Sequence, residues 1–172
     1  SAWLALGWSK RLAFSHGGGV ALLREALDDL NRASDSGEAR CQRGRVCAML
    51  VRGSGALVND GNTLPEGRTR PAWRWVLSPA PETAAWLRQA SEDLLHPSVA
   101  SVHREGRLYA QALLECVQGR CREAVDLLQG VASVDAFVLR AWCQYYGLDD
   151  ATSMKELSGV AEAGSRADAL GL

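Results

Sequence analysis

Apolar side chains recur every three or four residues along most of the chain, which is the spacing of one face of an α-helix. The pattern is clearest in residues 107–131, where Tyr109, Leu113 and Val117 line one face before Gly119 interrupts it. Glycine tolerates the positive φ that ends a helix, and the pattern resumes beyond it up to Leu128. We therefore predict two helices joined by a tight turn. Other helices must flank them, because such a pair cannot cover its own apolar faces.

The same periodicity, broken by glycine, proline and capping residues, predicts about nine helices. They cover residues 2–16, 20–33, 38–52, 71–77, 81–95, 98–118, 121–131, 133–146 and 151–163. Residues 53–70 hold four glycines, and we predict one long irregular loop there. Sustained apolar–polar alternation is absent from the sequence, so no sheet is expected. The prediction is an all-α domain, an irregular bundle of antiparallel helical hairpins over residues 1–163, followed by a frayed tail at residues 164–172.

The first predicted helix carries more apolar surface than one bundle face requires. Its two apolar stripes are Leu4, Trp8 and Leu12 on one side, and Trp3, Leu6, Ala13 and Phe14 on the other. A helix that is apolar on two sides is buried on two sides. It lies either at the centre of its own domain or between the domain and a second chain.

Charge narrows the range of partners. A formal net charge of −1 argues against a dominant nucleic-acid or membrane-surface role, and no apolar run approaches the ~20 residues of a membrane span. Residues 40–74 nevertheless carry a local net charge of +5, whereas residues 115–172 carry −4. This asymmetry marks a docking place for an acidic partner, or it reflects scattered arginines in water.

The sequence contains no recognisable catalytic motif. The five cysteines form no C-x-x-C pair, and most fall on predicted apolar stripes, where a free thiol acts as a small hydrophobe. The three histidines are not paired with carboxylates at metal-ligand spacing. We expect no catalytic residue, no metal and no cofactor, and a reducing compartment.

Several stretches, in this order, resemble the dimerisation domain of the telomere repeat-binding factors, the telomere repeat factor homology domain. The resemblance extends over roughly residues 3–161. It rests on Ala13-Phe14 before a glycine turn, Val46-Cys47-Ala48-Met49-Leu50-Val51-Arg52, Arg68-Thr69-Arg70-Pro71 before Trp73, and Cys116, Gly119, Glu123 and Ala124.

The resemblance implies a symmetric homodimer in the nucleus, at telomeres, built from the first and last helices. Carried over, the interface comprises Trp3, Leu4, Trp8, Leu12, Met154, Leu157 and Ala161. The resemblance also implies a groove for short peptides of telomeric partners, at Arg45, Val46, Met49, Arg52, Arg68 and Arg70. Met49 stands where the family has an aromatic residue. DNA binding belongs to a separate module of that family, so this domain is expected to contact neither DNA nor membrane directly.

Two other readings stay open. The hairpin glycines Gly119 and Gly147 suggest tetratricopeptide-like units, and hence a monomeric adaptor with a peptide in a concave groove. Their spacing of 28 residues, however, misses the repeat length of about 34 residues. An enzyme with an unrecognised helical active site is the third reading, although no nucleophile, base or metal set converges in the sequence.

Overall fold

The computed structural model describes residues 1–15, 17–59 and 73–147, and within these the side chains of residues 1–15, 17–56 and 76–144. Seven α-helices are present: α1 (Ala2–Ser15), α2 (Val20–Arg32), α3 (Gly37–Ser54), α4 (Pro81–Leu94), α5 (Arg104–Val117), α6 (Cys121–Leu127) and α7 (Val134–Gly147). A 3-10 helix at Pro97–Ser101 links α4 to α5. The predicted all-α class is correct for this part of the chain. The predicted last helix, at residues 151–163, and the predicted tail at residues 164–172 lie outside it.

Several predictions about the middle of the chain are wrong. Residues 73–76 were expected in a short helix, but they form strand β2 (Trp73–Val76), which pairs antiparallel with β1 (Ala56–Asn59). The expectation of no sheet therefore fails for one two-stranded ribbon. The predicted loop at residues 53–70 is also shorter than expected, because it contains the end of α3 and strand β1. The predicted helix at residues 98–118 is divided, because the 3-10 helix ends at Ser101 and α5 begins at Arg104.

The turns between helices follow from local chemistry. The Ser36 hydroxyl accepts a hydrogen bond from the Ala39 amide at 3.2 Å and caps the start of α3. Pro81 occupies the first turn of α4, where its missing N–H is not needed. Gly119 has a φ of +80° between α5 and α6, as the sequence predicted.

Helix α3 is the centre of the bundle, rather than the α5–α6 hairpin that dominates the sequence pattern. It packs against α1, α2, α4 and α5, and half of its 18 residues are buried. Small residues allow this close approach: a Cβ added at Gly44 would lie 2.6 Å from Leu94 Cγ. One core lies between α3 and α4–α7, and a second, around Leu23, Leu30 and Leu50, lies between α3 and α2.

A buried ion pair locks α3 to α4. Asp93, 1% exposed, accepts two hydrogen bonds from the Arg43 guanidinium, at 2.7 Å from Nε and 2.6 Å from Nη2. The Arg40 guanidinium lies 3.6 Å from the same carboxylate and also pairs with Asp35. Two arginines of the predicted positive segment are thus neutralised inside the protomer.

Two glycines of α3 allow a matched test of this packing. A Cβ at Gly37 would lie 2.2 Å from the Ser98 carbonyl oxygen, which is backbone and cannot move aside cheaply. We expect Gly37→Ala to lower the free energy of unfolding by about 2 kcal/mol. Gly53→Ala meets nothing within 4 Å and should raise it by about 0.5–1 kcal/mol. Urea denaturation of the two variants measures both values, and equal effects would contradict the packing described here.

Candidate functional site

Helix α1 leaves four large apolar side chains open to solvent. Trp3 is 41% exposed, Leu6 46%, Trp8 44% and Leu12 43%. Soluble monomers seldom carry this many exposed apolar groups on one short helix, and such patches usually mark an interaction surface. We call these four residues the α1 face, although Trp8 and Leu12 lie on one flank of the helix and Trp3 and Leu6 on the other.

The opposite side of α1 is held firmly against the protomer. Gly7 faces α2 so closely that an added Cβ would lie 2.6 Å from Leu30 Cγ. The Lys10 ammonium reaches across to α2, 2.8 Å from the buried Asp29 carboxylate and 3.2 Å from Glu25. The hydrogen bond with Asp29 raises the pKa of Lys10. The exposure of the α1 face therefore belongs to a well-anchored helix.

The predicted interface residues divide into three groups. Trp3, Trp8 and Leu12 lie on the α1 face, and the Arg32 guanidinium covers one side of the Trp3 ring at 5.1 Å. Leu4 is half-buried and packs against the core between α2 and α3, so the predicted stripe of Leu4, Trp8 and Leu12 is split. The remaining predicted interface residues, Met154, Leu157 and Ala161, lie outside the described residues.

A second candidate site is a cleft of about 340 Å³ at the meeting point of α1, α3, α5 and α7. We call it the Met49 cleft. Its lining consists of Phe14, Met49, Arg52, Gly53, Tyr109, Leu113 and Trp142. The volume is at the small end of the range for ligand sites, enough for one or two side chains of a partner.

The Met49 cleft coincides with part of the groove predicted from sequence. Met49 and Arg52 line it, and Arg45 lies one helical turn before Met49 on the same side of α3. Val46 is fully buried in the core between α2 and α3 and does not reach the cleft. Arg68 and Arg70 lie outside the described residues.

Three aromatic residues of the cleft were missed by the sequence reasoning. Phe14, Tyr109 and Trp142 come from three different helices and meet at α3 only through the fold. The sequence signal was present but ambiguous, because each residue belongs to an apolar stripe that could equally have filled the core.

Arginines border the cleft and stack on its aromatic rings. The Arg45 guanidinium lies 4.4 Å from the Tyr109 ring centroid, and the Arg52 guanidinium lies 5.2 Å from that of Trp142. Arg45 also approaches the exposed Asp135 carboxylate, at 3.5 Å from Nη2. Burial raises the pKa of the Tyr109 hydroxyl, so it stays protonated at neutral pH. The cleft is therefore apolar inside and positively charged at its rim.

Three of the five cysteines converge where α5, α6 and α7 meet. The thiols of Cys116 and Cys121 lie close enough to the Cys143 thiol to shift its pKa. These contacts, with burial, raise the pKa of Cys143, whereas the hydrogen bond from Cys143 lowers the pKa of the half-buried Cys121. Elsewhere, burial raises the pKa of Cys41 to about 11 and that of Cys47 to about 12.

These thiols should differ sharply in reactivity. The thiolate is the form that reacts, and Cys121 combines partial exposure with a lowered pKa. We expect iodoacetamide at pH 8 to modify Cys121 first and to leave Cys41 and Cys47 unmodified in the native protein. Peptide mapping by mass spectrometry identifies the site. Faster modification of Cys41 than of Cys121 would contradict the burial seen here.

The described ranges give little support for a metal site or a membrane-spanning helix. No cluster of three or more histidine, cysteine, aspartate or glutamate side chains there has the arrangement of a metal site. None of the helices there is both long enough and apolar enough to cross a bilayer. Compared with known proteins, the chain matches no protein-family model, no curated protein sequence and no solved structure.

Proposed function

We propose that this domain forms a homodimer through α1 and serves as an interaction domain of a telomere repeat-binding protein. The observation that carries the dimer is the exposure of the α1 face on a helix anchored by its other side. A second copy is the partner that needs no further assumption, because every molecule presents the same face. Such an interface should bury about 1,600 Å² or more in total.

The pattern of residue sizes on α1 suits helix-to-helix contact. At 100° per residue, Ala5 and Ser9 lie on the side opposite the buried Gly7 and Arg11, and both are exposed. Trp8 and Leu12 flank this line on one side, and Leu6 flanks it on the other. Small residues let two helix backbones approach closely while the large side chains pack along both flanks.

The telomeric assignment rests on the resemblance described from the sequence. The exposed α1 face and the cleft at Met49 agree in position with the dimer helix and the peptide groove that the resemblance implies. Localisation to the nucleus and docking of short telomeric peptides are part of the same proposal. The proposal includes no direct contact between this domain and DNA.

A monomeric peptide adaptor is the second candidate, and the Met49 cleft is the observation that favours it. Helix lengths speak against a tetratricopeptide-like arrangement, since α5 has 14 residues and its hairpin partner α6 has seven. If the protein were a monomeric adaptor, no second chain would cover the apolar side chains of the α1 face.

Cross-linking at the proposed dyad tests the dimer. In an isologous interface, a residue near the two-fold axis meets its own copy. We expect Ser9→Cys, under mild oxidation at micromolar protein, to give a covalent dimer on non-reducing gels. Glu123→Cys, exposed on α6, is the matched control and should stay monomeric. Equal cross-linking of the two variants would show that α1 is not part of the interface.

Chromatin precipitation tests the telomeric part. Chromatin recovered with an antibody against the natural protein should be enriched in telomeric repeats relative to a single-copy locus. Absence of enrichment would overturn the telomeric assignment while leaving the dimer intact.

A further inference from the structure

Arg11 is an arginine that α1 buries without an internal partner. The residue is 4% exposed, and its Nε is fully enclosed with no hydrogen-bond acceptor. Within the described chain, its guanidinium makes no hydrogen bond and no ion pair. Because only Nε is both enclosed and unpaired, the terminal nitrogens of the guanidinium still reach solvent.

The surroundings of Arg11 add more positive charge than they cancel. Arg45 and Arg107 also have an enclosed Nε without a partner, and all three guanidiniums are close enough to the Cys41 thiol to lower its pKa. Arg107 donates a hydrogen bond from Nη1 to the Ala100 carbonyl at 3.0 Å. Two carboxylates lie near this group. Asp135, whose side chain is 62% exposed, pairs with Arg45 and acts on Arg11, and Glu38 acts on the Cys41 thiol.

The pKa of Arg11 reflects its burial and the excess of positive charge around it. Burial, followed by repulsion from Arg45, lowers it to about 10 from an ordinary value of 12.5. Arginine is normally paired when it is buried, because removing its charge from water without a counter-charge is costly. The neighbouring Arg45 guanidinium has the largely exposed Asp135 as its carboxylate partner, so the two arginines together carry more positive charge than Asp135 neutralises.

We propose that Arg11 and Arg45 form a binding site for the phosphoryl group of a phosphorylated peptide whose neighbouring side chain fills the Met49 cleft. Guanidinium groups match the oxygens of a phosphoryl group by donating paired N–H bonds, and two of them suit its double negative charge. The peptide source rests on the docking role proposed for the cleft. The anion site itself rests on Arg11 and Arg45 alone.

Tyr109 connects the anion site to the cleft. It lines the cleft, and its ring centroid lies 4.4 Å from the Arg45 guanidinium. Arg11 lies one helical turn before Phe14 on α1, just as Arg45 lies one turn before Met49 on α3. A ligand with an aromatic or apolar group beside a phosphoryl group therefore meets both subsites at once.

Thermal unfolding with inorganic phosphate tests the anion site. At constant ionic strength, a hundredfold excess of phosphate over its Kd should raise the Tm by about 5 °C relative to chloride. Arg11→Met should abolish this shift and, by removing an unpaired buried charge, raise the Tm of the phosphate-free protein by roughly 4 °C. Arg88→Met, exposed on α4, is the matched control and should keep the full shift. Arg45→Met provides a second variant with the same expected loss.

Phenyl phosphate tests the link to the cleft, because it joins a ring to a phosphoryl group. Its Kd should be at least about tenfold lower than that of phosphate, and Met49→Ser should remove that gain while preserving phosphate binding. Equal Kd values for the two probes would show that the site takes the free anion, and the peptide source would be wrong. A phosphate-induced rise in Tm that persists in Arg11→Met would overturn the proposed anion site. So would a lower Tm of the Arg11→Met protein together with no effect of phosphate on Tm. Dimer formation is measured separately, so its failure leaves these results readable.

Discussion

Trp8→Glu is expected to convert the dimer into a folded monomer. The Trp8 side chain is 44% exposed in the protomer, so the charge costs little until the second copy covers it. Each interface contains the substitution twice, and burying a carboxylate without a partner costs several kcal/mol. The dimer Kd should therefore rise by roughly a thousandfold or more.

Light scattering coupled to size-exclusion chromatography reports the mass of the variant, and circular dichroism confirms that it is folded. Leu95→Glu is the matched control, since Leu95 is also an exposed apolar residue, 69% exposed, but lies at the end of α4. It should remain dimeric. A folded Trp8→Glu protein that still dimerises would show that the α1 face is not the interface.

Asp93→Ala should produce the largest loss of stability in the bundle. Removing this carboxylate leaves the Arg43 guanidinium, only 11% exposed in its side chain, without its two strongest hydrogen bonds, and it also removes a partner of Arg40. Breaking a buried pair on one side costs about 3–5 kcal/mol, which corresponds to a fall in Tm of roughly 10 °C.

The control for this prediction lies on the same helix. Glu82 pairs with Arg24 at 3.3 Å, but both side chains are more than 60% exposed, at 63% and 61%. Solvent screens such a pair, so Glu82→Ala should change the free energy of unfolding by less than about 0.5 kcal/mol. Similar losses in the two variants, measured by urea denaturation, would contradict the role given to the buried pair.

The helices were predictable because their signals are local. Periodic apolar residues identified them, and Pro81 and Gly119 marked boundaries that the structure confirms. The two-stranded sheet formed by β1 and β2 was not predictable in this way. Strand β2 pairs Trp73 with Asn59 across a long segment, and that pairing depends on tertiary contacts that no short window contains.

The candidate sites were likewise predictable only where the signal is local in sequence. The excess apolar surface of α1 was visible in the sequence, since Trp3, Trp8 and Leu12 belong to one helix. The unpaired Arg11 was not, because a basic residue on a helix is ordinarily solvated. Its burial becomes evident only once α1 is packed against the bundle, next to Arg45 of α3.

The cysteine cluster also illustrates the limit of sequence reasoning. Cys116 and Cys121 flank the predicted turn and were expected on apolar stripes, where the buried Cys116 indeed lies. Their contact with Cys143 depends on how α7 packs back on the hairpin. Spacing along the chain carries no information about that contact, because the helices are joined by turns whose geometry sets the packing.

Sedimentation equilibrium of the unmodified domain at micromolar concentration measures whether a second copy covers the α1 face. We expect a species of twice the 18.5 kDa protomer that dissociates on dilution. A single species of 18.5 kDa across the whole concentration range would contradict it.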